Sequence, residues 1–326
     1  MNQHVLKCGL RLTEIGMGVA QFGNLNRVTT DEDSSAAVDA AWAAGFRYFD
    51  TAPHYGLGLS ERRLGAALRD RPRDEYVLST KVGRLLVASP DTAGSLDPGG
   101  FLVPADHRRE WDFSRDGVLR SIEQSLGRLG TDRIDIAFLH DPDEFGEEAS
   151  ATGMPTLIEL RDEGVLGAVG LGMNQSAMPA DFVRRFDIDV VMIAGRFTLL
   201  EQPALEDLLP LAAERGVGIV AAAIYNSGVL SSDVVMEDST YSYAQAPREL
   251  IDRARDIAEI CARHRVSLPA AAVQFPLRHP AVVSVVVGTR TAEHVRSTIE
   301  RYSAEIPEAL WSDLVSSGHL ADPTQP

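Results

Sequence analysis

Along most of the chain, short runs of consecutive apolar residues alternate with longer stretches whose apolar positions recur at helical spacing. The first run, Glu14–Ala20 (EIGMGVA), precedes a helical pattern over Asp31–Ala44, which Thr30 or Asp31 can cap. Phe46–Asp50 predicts a second strand with its helix at Ser60–Leu68, and Tyr76–Lys81 a third with its helix at Ser114–Leu129. Ile134–His140 is followed by a helix near Pro155–Glu163, and Ala168–Asn174 by one at Ala177–Arg185. Val190–Gly195 precedes a helix at Ala204–Arg215. Gly218–Ile224 leads to a long helix at Arg248–His264 and a second helical segment at Leu268–Arg278. The last run, Val282–Gly288 (VVSVVVG), is followed by a helix at Ala292–Tyr302.

Runs that are apolar throughout, rather than alternating, are buried on both faces, as strands of a parallel sheet are. Eight strand-then-helix units in one chain predict an α/β fold, a (β/α)8 TIM barrel. A single domain over 1–326 is expected, with 1–10 as an N-terminal extension and 306–326 as a C-terminal helix and tail. A doubly wound open sheet is the alternative, but it calls for a glycine-rich turn after the first strand. The nearest match, Gly56-Leu-Gly58-Leu-Ser60, follows the second strand and lacks the third glycine. It reads as a loop feeding a helix, with Ser60 as N-cap and Glu61 in the first turn. Two loops, 82–113 and 225–247, are too long for simple connections and fall at strand C-termini, the face that carries active sites in barrels.

Composition changes this picture little. The net charge of −16 argues against a nucleic-acid binder, which needs a basic face for the phosphates. No run reaches the length of a membrane span, and the N-terminal MNQHVLKCGL lacks a signal peptide's apolar core, so a cytoplasmic location is expected. Cys8 and Cys261 have no partners at metal-ligand spacing; they read as reduced thiols, and no metal site is expected. The oligomeric state is left open.

The chemistry concentrates at strand ends. Asp50, Lys81, His140 and Asn174 end the second to fifth strands, neighbours around a barrel, and Tyr55 follows Asp50 closely. Asp50 pairs with Lys81; the ammonium lowers the pKa of the Tyr55 phenol, which then works as a general acid/base, and His140 orients the reacting oxygen. That set interconverts a carbonyl and an alcohol, with hydride carried by a cofactor.

The segments YFDTAPHYGLGLSERRLG, VLSTKVG and LGTDRIDIAFLHDPD resemble the aldo-keto reductase family, and the likeness runs from about residue 10 to 305. The resemblance implies a catalytic tetrad of Asp50, Tyr55, Lys81 and His140 and a nicotinamide cofactor, NAD by preference or NADP. It places Asn174 at the carboxamide, and Gly288, Thr289, Arg290 and His294 near the nucleotide. Gly18, Ala20, Asn226, Ser227 and Gly228 complete the expected cofactor set, with Arg196 or Tyr225 as alternatives for the place against the nicotinamide. His54, Arg84 and Trp111 are the expected substrate residues.

ERRLGAALRDRPRDEYVLSTKVGRLL, AGRFTLLEQ and YNSGVL carry a further likeness to the sugar-oxidising branch, the D-threo-aldose, L-fucose and L-galactose 1-dehydrogenases. This implies oxidation of an aldose C1 hydroxyl to the lactone, the substrate being a small sugar or an aldehyde. The alternatives are a pyridoxal dehydrogenase or general aldehyde/ketone reductase, a slow cofactor-sensing regulatory subunit, and a Schiff-base aldolase using Lys81.

Overall fold

The computed structural model describes residues 1–241 and 244–321. Eight parallel strands close into a barrel in chain order. They are β1 (Ile15–Gly18), β2 (Tyr48–Asp50), β3 (Val77–Val82), β4 (Ile136–His140), β5 (Ala168–Met173), β6 (Val190–Ala194), β7 (Gly218–Ala222) and β8 (Val282–Gly288). The seam is β8 against β1, running from Val285 opposite Ile15 to Gly288 opposite Gly18. Each apolar run in the sequence has become one strand. The doubly wound alternative is excluded by this closure.

The helices that follow are α1 (Asp31–Ala43), α2 (Leu59–Leu68), α3 (Arg115–Leu129), α4 (Met154–Asp162), α5 (Ala177–Arg185) and α6 (Leu208–Arg215). After β7 come α7 (Arg248–Arg263) and α8 (Leu268–Gln274), and after β8 come α9 (Ala292–Ser303) and α10 (Glu308–Ser316). Thr30 caps α1 by accepting the Asp33 amide at 3.0 Å. Two helices are shorter than the periodicity suggested, for local reasons. Pro276 cannot extend α8, so Pro276–Arg278 forms a separate 3-10 turn. Asp207 caps α6 at Leu208, leaving Ala204 in a preceding 3-10 turn. The predicted C-terminal tail beyond 321 lies outside the described residues.

Ser60 is not the N-cap of α2. That place falls to Gly58, in left-handed backbone with φ +81°, while the Ser60 hydroxyl donates to the Val19 carbonyl at 2.7 Å. Glu61 does sit in the first turn, but buried. It accepts from Arg128 at 2.5 Å and from the Thr80 hydroxyl at 2.8 Å, fastening α2 to α3 and β3. Gly56 is needed for close approach: a Cβ there would stand 2.3 Å from the Gly23 carbonyl oxygen. Gly65 serves the same purpose between helices, since its Cβ would meet the Leu129 carbonyl oxygen at 2.0 Å. Gly65→Ala is therefore expected to destabilise by about 1–3 kcal/mol in urea unfolding, although alanine is the better helix former.

The stretch expected as an N-terminal extension is structured. Gln3–Val5 pairs antiparallel with Arg11–Thr13, and this hairpin delivers Leu6 and Leu12 into the apolar cluster inside the barrel. Tyr48, Ile136, Phe138, Met192, Val220 and Val286 belong to the same cluster. The interior is thus filled with side chains and closed below, so that any site lies at the upper mouth.

The loop after β3 is a built element. Arg84–Ala88 pairs antiparallel with His107–Trp111, and the segment between them folds back over the mouth. Its Phe101 bridges to Leu25 and joins Leu57, Leu86 and Val103 in a small apolar cluster of their own. The loop after β7 carries a short antiparallel ladder, Thr240–Tyr241 with Ala244–Gln245. No helix among the described residues is long and apolar enough to cross a membrane.

Candidate active site

At the upper mouth, Asp50 ends β2, Lys81 lies near the end of β3 and His140 ends β4, so parallel pairing alone brings three side chains to one wall. The Lys81 ammonium donates to both Asp50 oxygens, at 3.0 and 2.8 Å, and to the Thr51 carbonyl at 2.9 Å. The Ser79 hydroxyl donates to Asp50 Oδ1 at 2.7 Å. Tyr55 reaches in from the β2–α2 loop, with Lys81 Nζ 5.0 Å from its ring centroid. The His140 ring stands 6.0 Å from that of Tyr55, edge to face.

Burial alone would depress the Lys81 ammonium, but Asp50 and Tyr55 hold it above its ordinary range. A Schiff-base lysine needs the opposite shift, which removes the aldolase reading. The Tyr55 phenol corrects a second expectation. Burial raises it, and with Asp50 and Asp141 adding to that, Lys81 does not bring it below its usual value. The resting group is a protonated phenol.

Burial, reinforced by Arg84 and Lys81, holds His140 well below the usual imidazole range. Burial, with Arg84 and Arg109 beside it, pushes His54 down to about 2. Both rings are neutral at pH 7. The unfolded chain's histidines take up protons near pH 6.5, so each of these contributes stability that is complete above that pH and lost as pH falls below it. The slope is about 1.4 kcal/mol per pH unit per histidine. The urea midpoint is expected to fall steeply from about pH 6.5 to 5, and less steeply in His54→Phe, as fluorescence-monitored titrations would show.

The tetrad opens into a cleft of about 750 Å3. Of the residues expected from the sequence, Gly18, Ala20, His54, Arg84, Asn174 and Gly288 line it together with Asp50, Tyr55, Lys81 and His140. The others lie off its walls. Arg196 donates to the Tyr241 hydroxyl at 3.2 Å, and the Tyr225 hydroxyl accepts from Arg301 at 3.0 Å, so neither stands against the cleft floor. Asn226 reaches Glu201 at 3.3 Å, and Ser227 and Gly228 continue that 3-10 turn. Arg290 is buried: it donates to the carbonyls of Arg27 and Leu25 and to the Thr29 hydroxyl, tying the β8 loop to the loop after β1. Thr289 is buried beside it, and His294 Nδ1 accepts the Arg290 amide at 3.3 Å. Trp111 lies behind Arg84, whose guanidinium carbon is 4.3 Å from the indole centroid.

The structure adds groups that strand ends did not reveal. Arg109 donates to both oxygens of buried Asp97, each at 2.7 Å, and to the His54 carbonyl at 2.8 Å. This strap fixes the turn carrying Pro98–Phe101, which lines the cleft with Phe101 5.3 Å from His54 and 6.2 Å from Tyr55. Asp97 and Gly99 sit in SPDTAGSLDPGG, whose composition signals a loop and nothing more. Asp141, in left-handed backbone at φ +42°, also faces the cleft and pairs with Arg84 at 2.5 Å. Among the described residues, no cluster of His, Cys, Asp or Glu has the makings of a metal site.

A dinucleotide fits these walls. Gln21 Oε1 and His140 Nδ1 are buried without a hydrogen-bond partner and border the cleft. A Cβ on Gly288 would lie 2.6 Å from Gln21 Nε2, so a larger residue there would push that amide aside.

Comparison with known proteins agrees with this geometry. The aldo/keto reductase family pattern matches residues 14–318. D-threo-aldose 1-dehydrogenase of a Pseudomonas species is 48% identical over 97% of each chain. Pyridoxal 4-dehydrogenase of Microbacterium luteolum is 38% identical, covering 97% of this chain and 96% of its own. Among solved structures, a holo-form aldo-keto reductase of Bacillus halodurans superposes with a TM-score of 0.79 at 24% identity, over 99% of this chain and 97% of that one. With the barrel, the four convergent groups and this match in place, the chain belongs to the aldo/keto reductase family and is an oxidoreductase of the kind that uses NAD(P)H.

Proposed function

We propose that the enzyme oxidises the C1 hydroxyl of an aldose to the lactone, using NAD in preference to NADP. The observation that carries the substrate reading is the 48% identity to a D-threo-aldose 1-dehydrogenase along nearly the whole of both chains. Asn174, Gln21, Gly18, Ala20 and Gly288 would hold the cofactor along the cleft. The cofactor supplies the hydride acceptor. The chain's own residues handle the proton: Tyr55 Oη, as a phenolate stabilised by Lys81, takes it from the C1 hydroxyl and becomes the phenol, and Asp50 keeps Lys81 charged and aimed. His140, neutral, hydrogen-bonds the reacting oxygen. Phe101 and the Asp97–Arg109 strap limit water over that step.

The NAD preference is supported by Arg290. Its guanidinium is turned inward onto two carbonyls and a hydroxyl rather than held ready for a 2′-phosphate. A fluorescence titration is expected to give tighter binding of NADH than of NADPH; the reverse order would overturn the preference.

Oxidation needs Tyr55 as the phenolate, whereas reduction needs it protonated. With the phenol above its usual range, kcat/KM for oxidation is expected to climb with pH and to go on climbing past the range where an ordinary phenol titrates. Carbonyl reduction should show no such rise. A substrate panel of aldoses and aldehydes, run in both directions with NAD(H) and NADP(H), tests the whole reading. Turnover confined to pyridoxal-type aldehydes would favour the second reading, for which the 38% relative is the support.

A further inference from the structure

The cleft is chemically divided. Met173, Met192, Ala194, Ala222 and Val286, from β5 to β8, give one side an apolar surface, while His54, Arg84 and Asp141 accompany the tetrad on the other. Within the polar side, Arg84 and Asp141 are a matched charge pair, Nη2 to Oδ2 at 2.5 Å. They come from the ends of adjacent strands, Arg84 just after β3 and Asp141 just after β4. The Arg84 guanidinium is backed by the Trp111 indole, itself stacked on Phe145 with ring centroids 5.2 Å apart. Asp141 is held by its amide, which donates to the Gly172 carbonyl at 3.0 Å, and by left-handed backbone that few non-glycine residues adopt. The side chains are 13% and 27% exposed, enough for a ligand to touch and too little for water to screen them fully.

A half-buried ion pair is a poor stabiliser compared with apolar packing, so stability alone does not account for one on a cleft wall. Its chemistry suits a particular ligand. A carboxylate accepts about four hydrogen bonds, and one guanidinium contact uses only part of that capacity. A hydroxyl group both donates and accepts, so it meets the carboxylate with its proton and the guanidinium with its lone pair. A hydrocarbon or aryl group placed there would strip water from the pair and offer it no hydrogen bond in return.

We propose that Arg84 and Asp141 together form the subsite that reads a hydroxyl of the sugar beyond its reacting C1 carbon, and so select polyhydroxylated substrates over simple aldehydes. This rests on the aldose reading above. The pair specifies substrate and itself exchanges neither hydride nor proton.

The test compares a good aldose substrate with its monodeoxy analogues, one hydroxyl removed at a time, in the full-length wild-type enzyme and in Asp141→Asn and Arg84→Met. The wild type is expected to favour the parent sugar over at least one analogue by about 10- to 100-fold in kcat/KM, the range for a hydrogen bond to a charged group. In both variants that ratio is expected to fall towards unity. Because the ratio is taken within one preparation, a reduced folded fraction cancels from it. Wild-type indifference to every deletion, or an undiminished ratio in both variants, would overturn the subsite. A wild type that turns over simple aldehydes but no aldose would instead overturn the aldose reading, and this inference with it.

Discussion

Tyr55→Phe is expected to lower kcat by about 10²- to 10⁴-fold, the usual worth of a positioned acid/base, while leaving cofactor affinity close to that of the wild type. The substitution removes one oxygen and little volume. The ring keeps its place among His54, Phe101 and His140, whose centroids lie 5.9, 6.2 and 6.0 Å away. Only the atom that exchanges the proton is lost. Steady-state kinetics in both directions, beside a cofactor fluorescence titration, separates the two effects. Retained turnover would mean that another group carries the proton, and matched losses of binding and rate would mean that the mouth had rearranged. His140, buried and neutral, is not expected to replace Tyr55 as the acid at pH 7.

Breaking the Asp50–Lys81 pair should have the largest effect on stability. Both side chains are almost fully buried, and the ammonium has three acceptors within 3.0 Å. Asp50→Ala leaves that charge with one carbonyl, and a loss of about 3–5 kcal/mol is expected in urea unfolding. Lys81→Met strands the carboxylate, with the Ser79 hydroxyl as its remaining donor, and should cost a similar amount. The double variant, with neither charge, is expected to be more stable than Asp50→Ala. Additive losses in that cycle would show that the two groups act independently. All three variants should be inactive as dehydrogenases, so stability and not rate is the informative reading here.

The barrel was legible because its evidence is repetitive: eight apolar runs, each followed by a helical pattern, leave few architectures open. The tetrad was legible because three of its members end strands, where chain order and parallel pairing bring them together. What escaped was set by tertiary contact. Arg290 was expected near the nucleotide, and its guanidinium lies among two carbonyls and a hydroxyl from residues about 260 positions earlier. Arg196 and Tyr225 are drawn to Tyr241 and Arg301, partners that no local pattern announces. The Asp97–Arg109 strap was hidden for a related reason: loop composition does not say which carboxylate a distant arginine will find. The direction of the Tyr55 shift also depended on depth, since burial and two nearby carboxylates outweigh Lys81.

The hairpin beneath the barrel has a bearing on how the chain reaches this state. Leu6 and Leu12 are made early in synthesis, but Val283 and Val286, in the same cluster, belong to the last strand. The seam likewise joins Ile15 to Val285. A ribosome therefore delivers the stopper long before the vessel it closes, and two leucines stay in water while nearly every other strand is built. Contacts so distant in sequence are slow to form. A chaperone that shields apolar side chains would find its earliest target on this nascent chain in those first dozen residues.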